Sequence, residues 1–126
     1  MIERKKPVVI IVDDDTWLAE HNVETLNNAG FLAHSTGHAL SAIDLIDELK
    51  PDALILDILL PGTTGFALLH ELQSYRDTAA LPVIICSGVA DDMNLDELKP
   101  YGVKRILDKT TMRPDDIVAA VRSVLS

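Results

Sequence analysis

The chain has 126 residues, of which 48% are hydrophobic and 25% are charged. A chain of this length usually forms one domain around one core, and this composition is typical of globular proteins and excludes a disordered chain. With 11 basic and 20 acidic residues, the formal charge is -9. That charge argues against direct binding to nucleic acid or to anionic lipid, because it repels phosphate groups.

The cysteine content and the N-terminus bear on the cellular compartment. The one cysteine, Cys86, cannot form a disulfide within the chain, and its apolar surroundings in residues 81–86 predict a buried, inert thiol. The apolar or near-apolar run that precedes Asp13 spans residues 7–12. It is shorter than a signal-peptide core of about 7 to 15 residues or a membrane span of about 20. We therefore expect a soluble, cytoplasmic protein.

Short apolar runs alternate along the chain with segments of helical spacing. The runs do not alternate with polar residues, which is typical of parallel strands covered on both faces. In chain order, the predicted elements are strand 8–12, a helix with Ala19, Val23 and Leu26, strand 31–35, a helix with Ala39, Ile43 and Ile46, strand 53–56, a helix with Leu68, Leu72 and Tyr75, strand 82–86, strand 103–107, and a helix with Ile117, Val121 and Val124.

Glycine and proline residues mark the ends of the predicted helices. Gly30 closes the first helix, Lys50-Pro51 ends the second, and Pro114 suits the first turn of the last. Residues 90–99 predict only a short helix, because Asn94 and adjacent aspartates dilute its apolar face. Five βα units with right-handed crossovers predict an α/β fold with helices on both faces of a parallel sheet.

Polar side chains follow the predicted strands at the points where the strands end: Asp13, Asp14 and Asp15, then Asp57, then Ser87, then Asp108 and Lys109. Ligand sites of open α/β sheets lie at this edge. Clustered carboxylates need a cation between them, and Mg²⁺ prefers such hard oxygen ligands. A magnesium site that handles phosphoryl groups is predicted, with lysine and serine contacting phosphate oxygens. Asp15 is expected to cap the first helix.

Four motifs together match one family: Val12-Asp13-Asp14-Asp15, Leu56-Asp57-Ile58-Leu59-Leu60-Pro61-Gly62 with Gly65, Ser87-Gly88, and Lys109. In their order and spacing, over nearly its whole length, the chain resembles a response regulator receiver domain of two-component signal transduction. The resemblance implies a flavodoxin-like receiver fold, with a doubly wound five-stranded parallel sheet of order 2-1-3-4-5. It also implies a single receiver domain over residues 1–126, with no output domain in this chain.

The resemblance assigns a role to each polar residue. Asp57 would be the phosphoacceptor, which receives a phosphoryl group from a histidine kinase or a histidine phosphotransfer protein. The Mg²⁺ ligands would be Asp13, Asp14, Asp57 and the backbone carbonyl of Leu59, and Ser87 and Lys109 would contact the new phosphoryl group. The resemblance also implies that the chain is not an enzyme for other substrates and would catalyse only its own phosphorylation and Mg²⁺-dependent dephosphorylation. Residues 90–125 would bind a downstream protein effector or a second copy of the chain.

Three features depart from the family pattern. Ile106 occupies a position where an aromatic residue is frequent, and Thr63 and Thr64 replace the usual residues after Asp57. Thr110 follows the lysine, where the family usually has a proline in a cis bond. Because a cis bond costs roughly 2.5 to 4 kcal/mol before threonine and only about 0.5 to 1 before proline, we expect a trans Lys109–Thr110 bond.

Two other functions compete with the receiver interpretation. A phosphatase resembling the haloacid dehalogenase class would use Asp13, Asp15, Ser87 and Lys109, but it would leave Asp57 without a role. A phosphorylation-silent interaction module would keep the fold only as a docking surface, which does not explain the acidic residues. The four histidines, His21, His34, His38 and His70, offer no metal or phosphodonor site by their spacing.

Overall fold

The computed structural model describes residues 6–60 and 63–125, in which one parallel sheet is covered by helices. In chain order the main elements are β1 (Val8–Val12), α1 (Thr16–Asn28), β2 (Leu32–Thr36), α2 (Ala39–Leu49), β3 (Ala53–Leu56), α3 (Gly65–Gln73), β4 (Val83–Ser87), α4 (Leu95–Leu98), β5 (Val103–Asp108) and α5 (Pro114–Leu125). Pro61 and Gly62 of the second motif lie outside the described residues, as do residues 1–5 and 126.

The sheet order is β2-β1-β3-β4-β5, and all neighbouring strands are parallel. This confirms the predicted doubly wound order 2-1-3-4-5. A separate antiparallel ribbon of two short strands, Leu59–Leu60 and Thr63–Thr64, connects β3 to α3. Two 3₁₀ turns, Ala90–Asp92 and Lys99–Tyr101, flank α4.

The central strands β1, β3 and β4 are buried on both faces, as their continuous apolar runs predict. Successive side chains point to opposite faces, so each strand contributes to two hydrophobic clusters. Ile10, Leu54 and Ile85 pack with α2 and α3, whereas Ile11, Ile55 and Ile84 pack with α1 and α5. This double burial aligns the carboxyl ends of the central strands at one edge of the sheet.

The helix boundaries agree with the predicted end signals. Gly30 has a φ of 99° after α1, and Lys50 has a φ of 47° at the end of α2, so both helices end in left-handed residues. The short helix α4 lies within residues 90–99 as expected, with Asn94 as its cap. Strands β2 and β4 are displaced by one residue from their predicted bounds. Within the described ranges, no helix has the length and apolar character needed to cross a membrane.

One residue of the predicted helical spacing lies elsewhere. The spacing predicts Tyr75 on the same helical face as Leu68 and Leu72, and this is wrong, because α3 ends at Gln73 and Tyr75 is 55% exposed. The buried Thr78 hydroxyl donates a 2.6 Å hydrogen bond to the Leu72 carbonyl. This bond satisfies a carbonyl of the last helical turn, and Tyr75 follows the end of the helix.

Candidate functional site

The polar residues predicted from the strand ends lie at the same edge of the sheet. Asp13 follows β1, Asp57 follows β3, Ser87 is the last residue of β4, and Lys109 follows β5. These four strands are neighbours in the sheet and run parallel, so their carboxyl ends lie side by side. The tertiary structure therefore brings together residues that are up to 96 positions apart in the sequence.

Three carboxylates form the centre of the site. Oxygen atoms of Asp13, Asp14 and Asp57 all lie within 4.8 Å of one another. Asp13 and Asp57 are buried, with 4% and 5% of their surfaces exposed, whereas Asp14 is open to solvent. Oxygen ligands at this spacing, with one exposed side, are suited to a hard divalent cation that retains water molecules.

Lys109 connects the two buried carboxylates. Its Nζ lies 2.7 Å from Asp13 Oδ2 and 2.8 Å from Asp57 Oδ2. Its backbone N–H donates to the Ser87 carbonyl, which fixes the start of the loop after β5. The peptide bonds of the described residues are trans, so the expected trans Lys109–Thr110 bond is confirmed.

Burial and charge act in opposite directions on the titrating groups of the site. Burial raises the pKa of Asp13, and the hydrogen bond and charge of Lys109 only partly oppose this effect. Burial by itself would lower the pKa of Lys109, but its contacts with Asp13 and Asp57 together raise it. Lys109 is therefore a firmly charged ammonium group at neutral pH.

The backbone after β3 holds the Asp57 carboxylate in place. The Leu59 N–H donates a 3.0 Å hydrogen bond to Asp57 Oδ1, and the Asp57 N–H donates to the Val12 carbonyl. Gly65 packs against the same segment, because a Cβ there would lie 2.6 Å from Ile58 Cα and 2.7 Å from the Asp57 carbonyl oxygen. Only glycine allows α3 to begin this close to the Asp57 backbone.

Sequence reasoning missed a second close contact, at Gly37 in the loop after β2. A Cβ there would lie 3.4 Å from Asp14 Cα and 3.5 Å from the Asp13 carbonyl oxygen. The loop after β2 therefore packs against the backbone of Asp13 and Asp14. The glycine itself was the only local signal, and a glycine in a loop does not by itself indicate a contact with the site.

The neighbours of the acidic centre form hydrogen bonds with nearby backbone groups. Asp15 Oδ1 accepts a hydrogen bond from the Leu18 N–H, so Asp15 caps α1 as predicted. Thr64 Oγ1 likewise accepts from the Ala67 N–H at the start of α3. Ser87 is fully buried, and its hydroxyl oxygen accepts a hydrogen bond from the Val89 N–H.

The remaining predicted residues lie around the site or away from it. Ile106 is partly buried and packs against the hydrophobic cluster between the sheet and helices α2 and α3. Cys86 is buried as predicted, and burial raises the pKa of its thiol to about 12. The four histidines are exposed, and His21 stacks on the Trp17 ring at 5.9 Å.

Comparison with known proteins identifies the family. Residues 9–122 match the family model described as the response regulator receiver domain. The chain belongs to this family. A receiver domain is a phosphorylation-based switch of two-component signalling, and receiver domains generally bind Mg²⁺ at an acidic pocket.

Individual relatives agree with this assignment. The DNA-binding response regulator MtrA of Mycobacterium leprae is 29% identical over 120 residues, covering 93% of this chain and 50% of MtrA. The transcriptional regulatory protein CseB of Streptomyces coelicolor is 30% identical over 120 residues, covering 93% of this chain and 48% of CseB. The receiver domain therefore spans about half the length of the curated relatives it matches.

Solved structures share the fold. A putative response regulator from Chloroflexus aurantiacus has a TM-score of 0.83 and 29% identity, covering 96% of this chain and 98% of that chain. The chemotaxis response regulator CheY4 of Vibrio cholerae has a TM-score of 0.86 and 21% identity, covering 96% of this chain and 100% of that chain. At that identity, CheY4 supports the fold alone.

Proposed function

We propose that Asp57 is the phosphoacceptor of this receiver domain and that its donor is the phosphohistidine of a histidine kinase or a histidine phosphotransfer protein. The observation that carries the proposal is the geometry around Asp57. Its carboxylate lies within 4.8 Å of two others, and one of its oxygens lies 2.8 Å from the Lys109 ammonium. This arrangement supplies a nucleophile with positive charge already beside it.

The charge of the site fits a bound Mg²⁺. The carboxylates of Asp13, Asp14 and Asp57 and the ammonium of Lys109 leave two formal negative charges, which one divalent cation neutralises. In the proposed site, these three carboxylates and the backbone carbonyl of Leu59 would hold Mg²⁺. When bound, Mg²⁺ supplies charge neutralisation for the oxygens of the incoming phosphoryl group.

The proposed reaction forms one bond and breaks one. A carboxylate oxygen of Asp57 attacks the phosphorus, the phosphorus–nitrogen bond of the donor breaks, and its electron pair leaves with the imidazole nitrogen. The product is an acyl phosphate on Asp57. Lys109 neutralises a phosphoryl oxygen, and the Ser87 hydroxyl donates a hydrogen bond to another. Because the phosphohistidine donor is already reactive, positioning and charge supply most of the catalysis.

The competing phosphatase interpretation has less support. In that interpretation Asp15 would belong to the catalytic set, but its carboxylate is engaged in capping α1. Asp57 would have no role, although it is buried, paired with Lys109 and supported by the Leu59 N–H. The same intact set of contacts argues against a phosphorylation-silent module.

We further propose that the phosphorylated domain signals through residues 90–125, binding a protein effector or a second copy of the chain. Ser87 lies at the start of the segment that leads into α4, so a hydrogen bond from Ser87 to the phosphoryl group connects the site to this surface. The net charge of -9 disfavours direct contact of this single domain with nucleic acid. The unpaired Cys86 suits the reducing cytoplasm, where we place the switch.

Phosphorylation by acetyl phosphate with Mg²⁺ tests the phosphoacceptor. Intact mass should increase by one phosphoryl group in the unmodified chain and in Asp15→Asn, and it should not increase in Asp57→Asn. Asp15→Asn is the matched control, because asparagine caps a helix as well as aspartate does. Full phosphorylation of Asp57→Asn would contradict the site. No increase in the unmodified chain would favour the phosphorylation-silent module.

Magnesium binding has a separate test. Trp17 lies on the first turn of α1, close in the sequence to the acidic segment, and is 76% exposed. Titration with Mg²⁺ should change its fluorescence in the unmodified chain, and Asp14→Asn should weaken the apparent affinity. A fluorescence signal that Mg²⁺ leaves unchanged, together with no heat of binding in calorimetry, would contradict the magnesium site.

A further inference from the structure

The loop after β5 carries Lys109 but is anchored by few contacts. Asp108 Oδ1 accepts hydrogen bonds from the Thr110 N–H and hydroxyl, and the Asp108 carbonyl accepts from the N–H groups of Thr111 and Met112. These bonds join residues at most four apart and shape a turn. They do not attach that turn to the core.

Met112 is the residue of this loop that reaches the core. Thr110, Thr111 and Arg113 are exposed, whereas Met112 is partly buried and packs against the hydrophobic cluster between the sheet and helices α1 and α5. Its Sδ lies 3.5 Å from Cys86 Sγ, and the protonated thiol donates a weak hydrogen bond to the thioether.

Cys86 precedes a residue that also contacts the loop. The carbonyl of Ser87 accepts a hydrogen bond from the backbone N–H of Lys109. The end of β4 therefore holds the loop at two points, with the Ser87 carbonyl at its start and the Cys86 side chain near its end. Both contacts therefore limit the positions that the loop backbone, including Lys109, can take.

We propose that Met112, packed against Cys86, is a positioning residue that holds Lys109 between Asp13 and Asp57. The Lys109 side chain is a flexible stem, and its two contacts of 2.7 and 2.8 Å depend on where its backbone is held. Phosphoryl transfer is sensitive to such placement, since a misplacement of about 1 Å can cost on the order of 100-fold in rate. The kinetic part of this inference rests on the proposed function, whereas its structural part does not.

The test compares Met112→Ala with Met112→Leu, which keeps the volume and removes the sulfur. The first measurement is the NMR signal of the Lys109 side-chain ammonium in the full chain without phosphodonor. Met112→Ala should shift or broaden this signal, and Met112→Leu should retain it. Val118→Ala is the matched control, because Val118 packs against the same cluster from α5 and is not part of the loop.

The second measurement is the rate of phosphorylation by acetyl phosphate at several donor concentrations. Met112→Ala should lower the rate on the order of 10-fold with little change in the dependence on donor concentration, and Met112→Leu should restore it. A purely structural role would lower thermal stability equally in Met112→Ala and Val118→Ala, with no effect on the Lys109 signal or the rate. That outcome would overturn the proposal.

A second variant, Cys86→Ala, tests the proposal if Met112→Ala does not fold. It removes the contact between Cys86 and Met112 from the side of β4, and it should also shift or broaden the NMR signal of the Lys109 ammonium. An unchanged Lys109 signal in folded Cys86→Ala would overturn the proposal. If the unmodified chain gains no phosphoryl group, the proposed function fails, and the NMR comparison still decides whether Met112 positions Lys109.

Discussion

Replacement of Gly65 by alanine should destabilise the domain and displace Asp57. The added Cβ would lie 2.6 Å from Ile58 Cα and 2.7 Å from the Asp57 carbonyl oxygen, and both are backbone atoms that no side-chain rotation can move away. Ordinary van der Waals contact begins near 3.4 Å, so α3 and the segment after β3 must separate by about 0.8 Å.

The expected cost follows from two opposing effects. Overpacking of this kind costs typically 1 to 3 kcal/mol, and the backbone contacts place Gly65→Ala towards the upper end of that range. Gly65 is the first residue of α3, where alanine in place of glycine recovers at most roughly 1 kcal/mol by lowering the entropy of the unfolded chain. We therefore expect a net loss of about 2 kcal/mol, which corresponds to a fall in Tm of roughly 6 to 10 °C.

The assay pairs urea unfolding with phosphorylation by acetyl phosphate. Displacement of Asp57 by close to 1 Å should lower the phosphorylation rate of the folded variant on the order of 10- to 100-fold. Gly88→Ala is the control, because a Cβ at Gly88 meets nothing within 4 Å and should leave stability unchanged within about 0.5 kcal/mol. A Gly65→Ala protein as stable and as readily phosphorylated as the unmodified chain would refute the reasoning.

Three further predictions concern single side chains. The apolar side chain of Leu59 cannot orient a water molecule by hydrogen bonding, so Leu59→Asn should speed hydrolysis of the phosphoryl group on the order of 10-fold. The decay can be followed by intact mass, and an unchanged rate would contradict this prediction. Ile106 is only partly buried, so Ile106→Ala should lower the free energy of unfolding, measured with urea, by about 2 kcal/mol. Phosphorylation-dependent binding to a partner should remain measurable, and loss of that binding in the folded variant would contradict the prediction. The pKa of Lys109 is raised above its ordinary value of 10.5, so its contribution to stability is complete below that pH and is lost as the pH rises through the folded-state pKa. The free energy of unfolding of Lys109→Gln should not show this decrease at alkaline pH. Identical curves of stability against pH for the variant and the unmodified chain would contradict the prediction.

The sequence by itself determined the fold class and the edge of the sheet that carries the site. Continuous apolar runs and helical spacing are local patterns, so they can be read from the sequence. Because parallel strands end at the same edge of the sheet, the polar residues that follow the strands are expected to lie together. The capping role of Asp15 and the burial of Cys86 followed from the same local patterns. The prediction for Tyr75 failed because α3 ends at Gln73, where the distant Thr78 hydroxyl donates to the Leu72 carbonyl.

Only the tertiary structure decided which atoms touch. The Lys109 ammonium bridges Asp13 as well as Asp57, and Asp57 is 52 residues away from it in the sequence. Met112 meets Cys86 across 26 residues, and Gly65 presses against the Asp57 backbone at a distance that no spacing rule predicts. Such contacts depend on how the elements pack in three dimensions, because side-chain packing is set by shape and volume across the whole core and not by the local pattern that forms each element.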